Sequence, residues 1–151
     1  MSVTFKTGDI FESECETLVN AVNTVGVMGA GLAKQFKLKY PQMFKEYKSL
    51  CDSHQFYIGD GFYYQENEKK SVLNIPTKKH WKDPSKLEYI EQGLDWFVSH
   101  YKLLGISSVA FPALGCGLGG LYWKEVGPLM FEKLDPLSIK VEIYLPYCLQ
   151  K

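Results

Sequence analysis

Two short glycine-rich segments have the spacing to bind a ligand. The first is "GVMGAG", Gly26 to Gly31, and the second is "GCGLGG", Gly115 to Gly120. Each follows an apolar run typical of a buried strand and precedes a helical pattern, so its backbone N–H groups can bind an anion at a helix N-terminus. Either loop alone is also typical of a tight strand-to-helix turn. Two such loops together predict a clamp that holds one diphosphate with backbone donors.

The second loop also matches the dinucleotide-binding pattern G-x-G-x-x-G through Gly115, Gly117 and Gly120, and Asp135 follows at the expected distance. In that fold the acidic residue ends the second strand, whereas Asp135 precedes the last predicted strand. We therefore favour the diphosphate clamp over a dinucleotide-binding fold.

Polar side chains at two other predicted strand ends can contact a bound nucleotide. Asp9 follows the first strand, where its carboxylate can accept hydrogen bonds from an exocyclic amine or simply cap a turn, which is the more frequent role. Asn20 and Asn23 flank the end of the second strand, and a side-chain amide both donates to and accepts from a sugar hydroxyl. Asparagine is also a common turn former at this position. The residues alone leave both alternatives open.

The segment "PTKKHWK", Pro76 to Lys82, combines basic and aromatic side chains directly after an apolar strand. A desolvated lysine at the mouth of a strand, beside a bound sugar, can attack a ribose carbon as an amine or stabilise developing charge as an ammonium. For Lys79 and Lys82 we favour a solvated basic loop. Trp81 among lysines also suits stacking with a base of single-stranded nucleic acid.

The cysteines are far apart, form no C-x-x-C pair and have no histidine at metal-binding spacing. They are Cys15, Cys51, Cys116 and Cys148. With an N-terminal segment that is not apolar, this pattern predicts a reduced cytoplasmic protein that has no metal site and no cofactor. Cys116 lies in the second loop, where a helix N-terminus can activate a thiol, but we favour a small residue tolerated in a tight loop.

The elements that position these residues alternate along the chain. Strands are predicted at residues 3–6, 17–22, 61–65, 72–75, 108–112 and 139–145. Helices are predicted at residues 29–39, 41–51, 85–104 and 123–134. Ser85 and Glu88 suggest a capping box for the third helix, and Pro128 predicts that the fourth starts late or kinks. The alternation predicts a three-layer α/β/α fold whose central mixed sheet binds ligands at the carboxyl ends of its strands.

Length and charge restrict the function further. A chain of 151 residues is the size of one domain, and its formal net charge of zero gives no general attraction to nucleic acid or to an anionic membrane. The chain has seventeen lysines and no arginine. Phosphate recognition must therefore come from backbone N–H groups and lysine. No apolar run approaches the length of a membrane span.

The segments "GDIF", "LVNAVNTVGVMGAGLAKQFK", "IPTKKHW" and "GCGLGGLYW" follow one another with a spacing that resembles a macro domain. Within that family the chain resembles the DNA ADP-ribosyl glycohydrolase antitoxins (DarG), which reverse thymidine modification by a DarT toxin. The parts specific to this group are "NTVGVMG" and "PTKKHW". The resemblance implies one macro domain over residues 1–151, a mixed-sheet α/β/α fold and a cleft for ADP-ribose along the strand ends.

The resemblance also implies roles for individual residues. Asp9 and Ile10 would contact the adenine, Asn20 and Asn23 would lie beside the distal ribose, and Lys78 would be the catalytic lysine. The two loops would hold the diphosphate and the distal ribose. The other implied ADP-ribose contacts are Gly26, Val27, Met28, Gly29, Gly31, Thr77, Gly115, Cys116, Gly117, Leu118, Gly119 and Gly120. The implied DNA contacts are Lys79, His80 and Trp81.

Two departures refine the resemblance. The related terminal ADP-ribose protein glycohydrolases pair the same lysine with an aspartate in the second loop, where this chain has Gly119. The antitoxins also have glycine there, so the resemblance favours DNA over protein carboxylates as the substrate and leaves the proton-transfer partner of Lys78 unidentified. The antitoxins usually carry a further C-terminal domain, so we expect either a stand-alone domain or a truncated one.

The expected reaction is hydrolysis of the N-glycosidic bond between ADP-ribose and a thymine in single-stranded DNA, through an oxocarbenium-like transition state. We expect a monomer with no membrane partner, whose ligands are ADP-ribose and ADP-ribosylated single-stranded DNA and whose partner is a DarT-type toxin. One alternative is a reader that binds ADP-ribose without turnover. Another is a hydrolase of protein glutamyl-ADP-ribose or of ADP-ribose 1″-phosphate.

Overall fold

The computed structural model describes residues 2–146, which contain six strands and four α-helices. In chain order they are β1 Val3–Thr7, β2 Thr17–Val22, α1 Gly31–Lys39, α2 Pro41–Asp52, β3 Phe62–Gln65, β4 Ser71–Pro76, α3 Leu87–His100, β5 Ser108–Pro112, α4 Trp123–Leu134 and β6 Lys140–Leu145. A short 3₁₀ helix, Ile10–Glu12, follows β1. Cys148 lies outside the described residues.

The strands form one sheet in the order β1-β6-β5-β2-β4-β3. Every neighbouring pair is parallel except β3 and β4, which are antiparallel, so the predicted mixed sheet is confirmed. Because β2 lies between β5 and β4, the loops that follow β5 and β4 flank the end of β2 from opposite sides. In open α/β sheets such a position is where ligands bind.

Each face of the sheet is covered by two helices, as alternation of side chains along β2 illustrates. Leu18 and Val22 belong to the apolar cluster on the α1 and α2 face. Val19 belongs to the cluster on the α3 and α4 face. Helix α3 packs closely on β4, since a Cβ at Gly93 would lie 2.5 Å from Cγ2 of Ile75. The predicted three-layer α/β/α architecture is therefore confirmed.

The predicted start of the third helix is wrong. Helix α3 begins at Leu87 with Lys86 as its N-cap, and no side chain caps it. Ser85 and Glu88 therefore do not form the predicted capping box. The backbone N–H of Ser85 instead donates to the carbonyl oxygen of Gly119, at 3.0 Å. The segment before α3 is thus tied to the second glycine loop.

Three other helix boundaries differ from the predictions, since α2 also ends one residue later than predicted, at Asp52. Helix α3 ends at His100 rather than at residue 104, because the chain reverses through Gly105 at a φ of 73° and the N–H of Ile106 bonds back to Tyr101. Helix α1 starts at Gly31 rather than at residue 29, since Ala30 is still extended. Pro128 lies inside α4, which begins where predicted, so the expected late start is wrong.

Candidate functional site

A cleft of about 1010 Å³ lies at the carboxyl ends of the five parallel strands. Its wall comes from the segments that follow β1, β2, β4, β5 and β6, together with the first turns of α1. The lining residues named by the sequence analysis are Asp9, Ile10, Asn23, Val27, Gly29, Gly31, Thr77, Lys78, Trp81, Gly115, Gly117, Leu118 and Gly119. Segments more than 100 residues apart in the chain thus meet at one cleft.

Asn23 shapes the first glycine loop. Its Oδ1 accepts hydrogen bonds from the N–H groups of Val25 (3.0 Å) and Val27 (3.4 Å), and its Nδ2 donates to the carbonyl oxygen of Val27 at 2.8 Å. The hydroxyl of Tyr47, on α2, lies 2.8 Å from both the carbonyl oxygen and Oδ1 of Asn23. Burial raises the pKa of the Tyr47 hydroxyl, so it stays a donor. A contact between the Asn23 side chain and a ribose stays a prediction.

The first loop ends at the N-terminus of α1, which faces the cleft. Ala30 is the N-cap, and no side chain caps this helix. The first N–H groups of an α-helix have no partner within the helix, and the helix dipole favours an anion there. Gly29, Ala30, Gly31 and Leu32 all line the cleft at this point. The arrangement is that of an anion site built from backbone.

The second glycine loop meets the first across the cleft. Leu118 is 72% exposed, and its Cδ1 lies 3.3 Å from the position a Cβ would take at Gly31. Gly31 also has a φ of 59°, a conformation that residues with a Cβ rarely adopt. A larger residue at position 31 would therefore be strained, and the exposed Leu118 side chain would have to move. This contact is consistent with the predicted clamp.

Gly119 occupies a position where no side chain fits. A Cβ there would lie 2.4 Å from Oγ of Ser85 and 2.5 Å from the carbonyl oxygen of Gly115. The second of these neighbours is backbone, so the loop itself would have to move. The observed loop therefore excludes an aspartate at this position, and its chemistry must differ from that of a lysine and aspartate pair.

Lys78 links β4 to the second loop. Its Nζ donates to the carbonyl oxygens of Leu118 (3.2 Å) and Trp81 (3.3 Å). An ammonium group carries three N–H donors, so one remains for a ligand after these two bonds. The side chain is half-buried and lines the cleft. The structure thus brings a cationic donor to the place where the two loops meet.

Backbone hydrogen bonds fix the segment that carries Lys78. The N–H of Thr77 donates to the carbonyl oxygen of Val22 at 2.8 Å, which extends the pairing of β2 and β4 by one residue. The hydroxyl of Thr24 donates to the carbonyl oxygen of Lys79 at 2.7 Å. These bonds hold the residue before Lys78 and the residue after it against the start of the first loop, so the backbone of Lys78 has a defined position.

Asp9 has the capping role of its two predicted roles, and its contact with an exocyclic amine stays a prediction. Its Oδ1 accepts a hydrogen bond from the N–H of Phe11 at 2.9 Å and so caps the short 3₁₀ helix. Asp9 also lines the cleft, together with Ile10. A capping carboxylate held in this way has a fixed orientation, since one oxygen is tied to the backbone.

Asn20 and Met28 do not reach the cleft. Asn20 is fully buried within the sheet layer, where its Nδ2 donates to Oδ1 of Asn74 at 3.0 Å and lies 3.7 Å from the sulfur of Met28. Met28 is 1% exposed. Because both side chains are buried away from the cleft, they do not make the predicted contact with a ligand in this structure. The structure assigns them instead to the support of the first loop.

Other predicted contacts also lie off the cleft wall. Gly26 turns toward α2, since a Cβ there would lie 3.4 Å from Cγ of Lys48. Cys116 packs against the core of the α3 and α4 face, and burial raises the pKa of its thiol to about 11. Such a thiol is not activated at neutral pH. The other predicted contacts that do not line the cleft are Gly120, Lys79 and His80.

Sequence reasoning missed several cleft residues and two supporting ones. The missed lining residues are Gly8, Ala21, Val22, Ala30, Leu32, Ala33, Gln35, Pro112, Ala113, Tyr144, Leu145 and Pro146. Pro112 and Tyr144 lie at the ends of strands that were predicted, so the strand-end rule would have found them. Tyr47 and Ser85 act from outside the wall, and no sequence pattern indicated their contacts.

Residues 2–146 contain neither a membrane-spanning helix nor a cluster of metal ligands. No helix there is long and apolar enough to cross a membrane. No group of three or more His, Cys, Asp and Glu side chains in this part of the chain could hold a metal ion. Cys15, Cys51 and Cys116 are free thiols.

The six-stranded mixed sheet, with two glycine loops at the carboxyl ends of its strands, defines the class of this protein. The Macro domain family model matches residues 19–130, and the chain belongs to this family.

Within the family the chain is similar to the macrodomains of DarG proteins. It is 45% identical, over 92% of its length, to the DNA ADP-ribosyl transferase-DNA ADP-ribosyl glycohydrolase fusion protein of Thermosipho africanus. The macrodomain of Mycobacterium tuberculosis DarG superposes with a TM-score of 0.91 at 42% identity, covering 94% of this chain and 96% of that one. Thermosipho africanus DarTG in complex with ADP-ribose superposes with a TM-score of 0.88 at 43% identity, covering 95% of this chain and 42% of that one. The chain spans between 40% and 42% of the length of the first curated relatives it matches.

The contact between Tyr47 and Asn23 generates a test of how the first loop is held. Tyr47→Phe leaves the two Asn23 oxygens without their buried donor, so we expect the free energy of unfolding to fall by about 1–2 kcal/mol. Exposed Tyr57 provides the matched control, and Tyr57→Phe should change that free energy by less than about 0.5 kcal/mol. Urea unfolding measures both variants, and amide exchange at Val25 and Val27 should be faster in Tyr47→Phe alone. Equal effects of the two variants would contradict the role given to Tyr47.

Proposed function

We propose that this chain is an ADP-ribosyl glycohydrolase that removes ADP-ribose from thymidine in single-stranded DNA and so reverses a DarT-type modification. The proposal rests on the position of Lys78, whose Nζ is held at the cleft by hydrogen bonds to the carbonyl oxygens of Trp81 and Leu118. The names of the curated relatives, which are DNA ADP-ribosyl glycohydrolases, support the same activity.

ADP-ribose would lie along the strand ends in an extended orientation. The adenine would contact Asp9 and Ile10, where the free carboxylate oxygen of Asp9 can accept from an exocyclic amine. The diphosphate would lie between the N-terminus of α1 and the second loop, which supply backbone N–H donors in a chain without arginine. The distal ribose would then lie beside Asn23, Thr77 and Lys78. The complex of the Thermosipho africanus relative with ADP-ribose supports this ligand.

In the proposed reaction, water adds to C1″ of the distal ribose as the bond from C1″ to the thymine nitrogen breaks. The electron pair of that bond goes to the nitrogen, and a proton derived from the water replaces the lost carbon there. The third N–H donor of the Lys78 ammonium would stabilise the charge that develops on the departing thymine. The products are ADP-ribose and unmodified DNA. This role uses Lys78 as a donor, in preference to an amine that forms an imine with opened sugar.

Gly119 supports DNA rather than protein as the substrate. The related protein glycohydrolases use a lysine with an aspartate in the second loop, and the loop of this chain has no room for that aspartate. Release from a protein carboxylate by the paired mechanism therefore lacks one of its two groups here. The alternative of a reader without turnover gives Lys78 only the structural role of holding the second loop, and no observation at the site favours it specifically.

The DNA strand would leave the cleft over the segment that follows β4. Trp81 is 49% exposed, the ring of His80 stacks on it at 5.3 Å, and Nζ of Lys82 lies 5.1 Å from its centroid. Lys79 lies over the ring of Tyr89 at 5.8 Å. An exposed aromatic ring flanked by lysines suits stacking with a base and contact with phosphates of single-stranded DNA. We propose this surface as the DNA contact.

A DarT-type toxin is the macromolecular partner that we propose, because the Thermosipho africanus relative joins a DNA ADP-ribosyl transferase to a glycohydrolase in one chain. In this proposal the two activities oppose each other on the same thymidine. The monomeric state and the cytoplasmic location stay predictions.

Replacing Lys78 tests the catalytic assignment. In Lys78→Ala the cationic donor is lost, so release of ADP-ribose from a modified thymidine oligonucleotide should fall by about 100-fold or more. Affinity for free ADP-ribose should fall much less than the rate of release, because the backbone donors of the loops and the adenine site remain although the bond from Nζ to Leu118 is lost. Lys69→Ala, at an exposed lysine on the turn between β3 and β4, is the control and should keep parental kinetics. A parental rate for Lys78→Ala would refute the proposed mechanism.

Replacing Trp81 tests the DNA surface. In Trp81→Ala the stacking platform is lost, while the backbone carbonyl that accepts from Lys78 remains. We expect kcat/KM for a modified oligonucleotide to fall about tenfold, with a much smaller loss for ADP-ribosylated thymidine as a single nucleoside. Trp81→Phe keeps a ring and should restore most of the activity. The same loss on the nucleoside and on the oligonucleotide would exclude stacking with a neighbouring base.

A further inference from the structure

The hydroxyl of Ser85 is buried beneath the second glycine loop without a hydrogen bond. Ser85 is 5% exposed, and its Oγ has no hydrogen-bond partner among the described residues. A buried polar atom that is left unsatisfied costs folding free energy, and such atoms are few in native proteins. Since α3 starts at Leu87, the hydroxyl does not cap this helix. The position of Ser85 therefore requires another explanation.

Ser85 lies against the loop at two of its glycines. Its N–H donates to the carbonyl oxygen of Gly119 at 3.0 Å, and its Cβ lies 3.3 Å from the position a Cβ would take at Gly115. The Ser85 Oγ and the Gly115 carbonyl oxygen both lie within 2.5 Å of the position a Cβ would take at Gly119. These two oxygens therefore lie less than 5 Å apart, so a shift of the loop can bring the hydroxyl to hydrogen-bond distance of that carbonyl. The same carbonyl already accepts from Leu121, at 2.9 Å, and a carbonyl oxygen can accept two bonds.

The tip of the second loop, at Gly117 and Leu118, has few contacts that would resist such a shift, whereas Gly115 and Gly119 lie close to neighbouring atoms. Leu118 is exposed, and no heavy atom lies within 4 Å of the positions a Cβ would take at Gly117 and Gly120. Two polar contacts join this loop to the described segment between β4 and α3. They are the bond from the Ser85 N–H to Gly119 and the bond from Lys78 Nζ to Leu118. A ligand that adds contacts to the loop would therefore decide its final position.

We propose that Ser85 is a positioning residue for ligand binding, whose hydroxyl bonds to the backbone of the second loop when this loop closes on the diphosphate. In the free protein the hydroxyl is unpaired, so its bond contributes to ligand affinity and not to the stability of the free fold. The inference rests on the proposed binding of ADP-ribose. It acts through the loop, because Ser85 itself does not line the cleft.

The test is Ser85→Ala, which removes the hydroxyl and keeps the N–H that bonds to Gly119. Calorimetric titration with free ADP-ribose should give an affinity about three- to tenfold lower than that of the parent, the effect of one hydrogen bond. The melting temperature of the free variant should be equal to that of the parent or higher, because an unsatisfied buried group has been removed.

Ser71→Ala is the matched control. Ser71 is also buried, but its Oγ lies 2.8 Å from Oγ1 of Thr17, remote from the cleft, so its hydroxyl is paired in the free protein. We expect this variant to have a lower melting temperature and parental affinity for ADP-ribose. Ser85→Ala should thus lower the affinity without lowering the melting temperature. Ser71→Ala should lower the melting temperature without changing the affinity.

The remaining outcomes are distinguishable. Parental affinity in Ser85→Ala would overturn the inference, and so would a loss of melting temperature as large as that of Ser71→Ala, which would indicate an ordinary structural hydroxyl. If the parent protein itself fails to bind ADP-ribose, the proposed function fails and not merely the role of Ser85.

Discussion

The bond network around Lys78 Nζ is the interaction on which the site depends. Lys78 follows β4 and Leu118 follows β5, and these strands lie on opposite sides of β2. The hydrogen bond from Lys78 Nζ to the carbonyl oxygen of Leu118, at 3.2 Å, therefore spans the end of β2, where Asn23 precedes the first loop. Three strand ends are brought into one small volume by this arrangement. The strand order of the sheet makes it possible, because adjacent parallel strands place their carboxyl ends at the same edge.

In the proposed complex, backbone N–H groups take the place of arginine. Phosphates are often held by the guanidinium fork, and this chain has none. Its glycine loops leave N–H groups accessible and let the two loops approach closely, as at Gly31 and Leu118. The cost is that the loops need support from elsewhere. Tyr47 supports the first loop from α2, and Ser85 lies under the second loop from the segment before α3.

The sequence predicted the layers and most element boundaries, because apolar periodicity reports burial and burial dominates this fold. The sequence also placed the two glycine loops and Lys78 at strand ends, and residues of both loops and Lys78 line the cleft there, while their contact with a ligand stays a prediction. Asn20 was misassigned because a strand-end asparagine looks alike whether it faces a cleft or pairs within the sheet with Asn74. Ser85 was misassigned because a capping box is a local pattern, whereas its observed partner, Gly119, is distant in the chain. Long-range contacts of this kind have no local signature.

Release of ADP-ribose from DNA is the activity that we propose for this cleft. The most direct measurement compares release by the parental protein from two substrates in parallel, a single-stranded oligonucleotide carrying ADP-ribosylated thymidine and a protein carrying ADP-ribose on glutamate. We expect rapid release from the oligonucleotide and little from the protein, because Gly119 leaves no room for the aspartate of the paired mechanism. Preferential release from the protein, or no release from the oligonucleotide, would contradict this proposal.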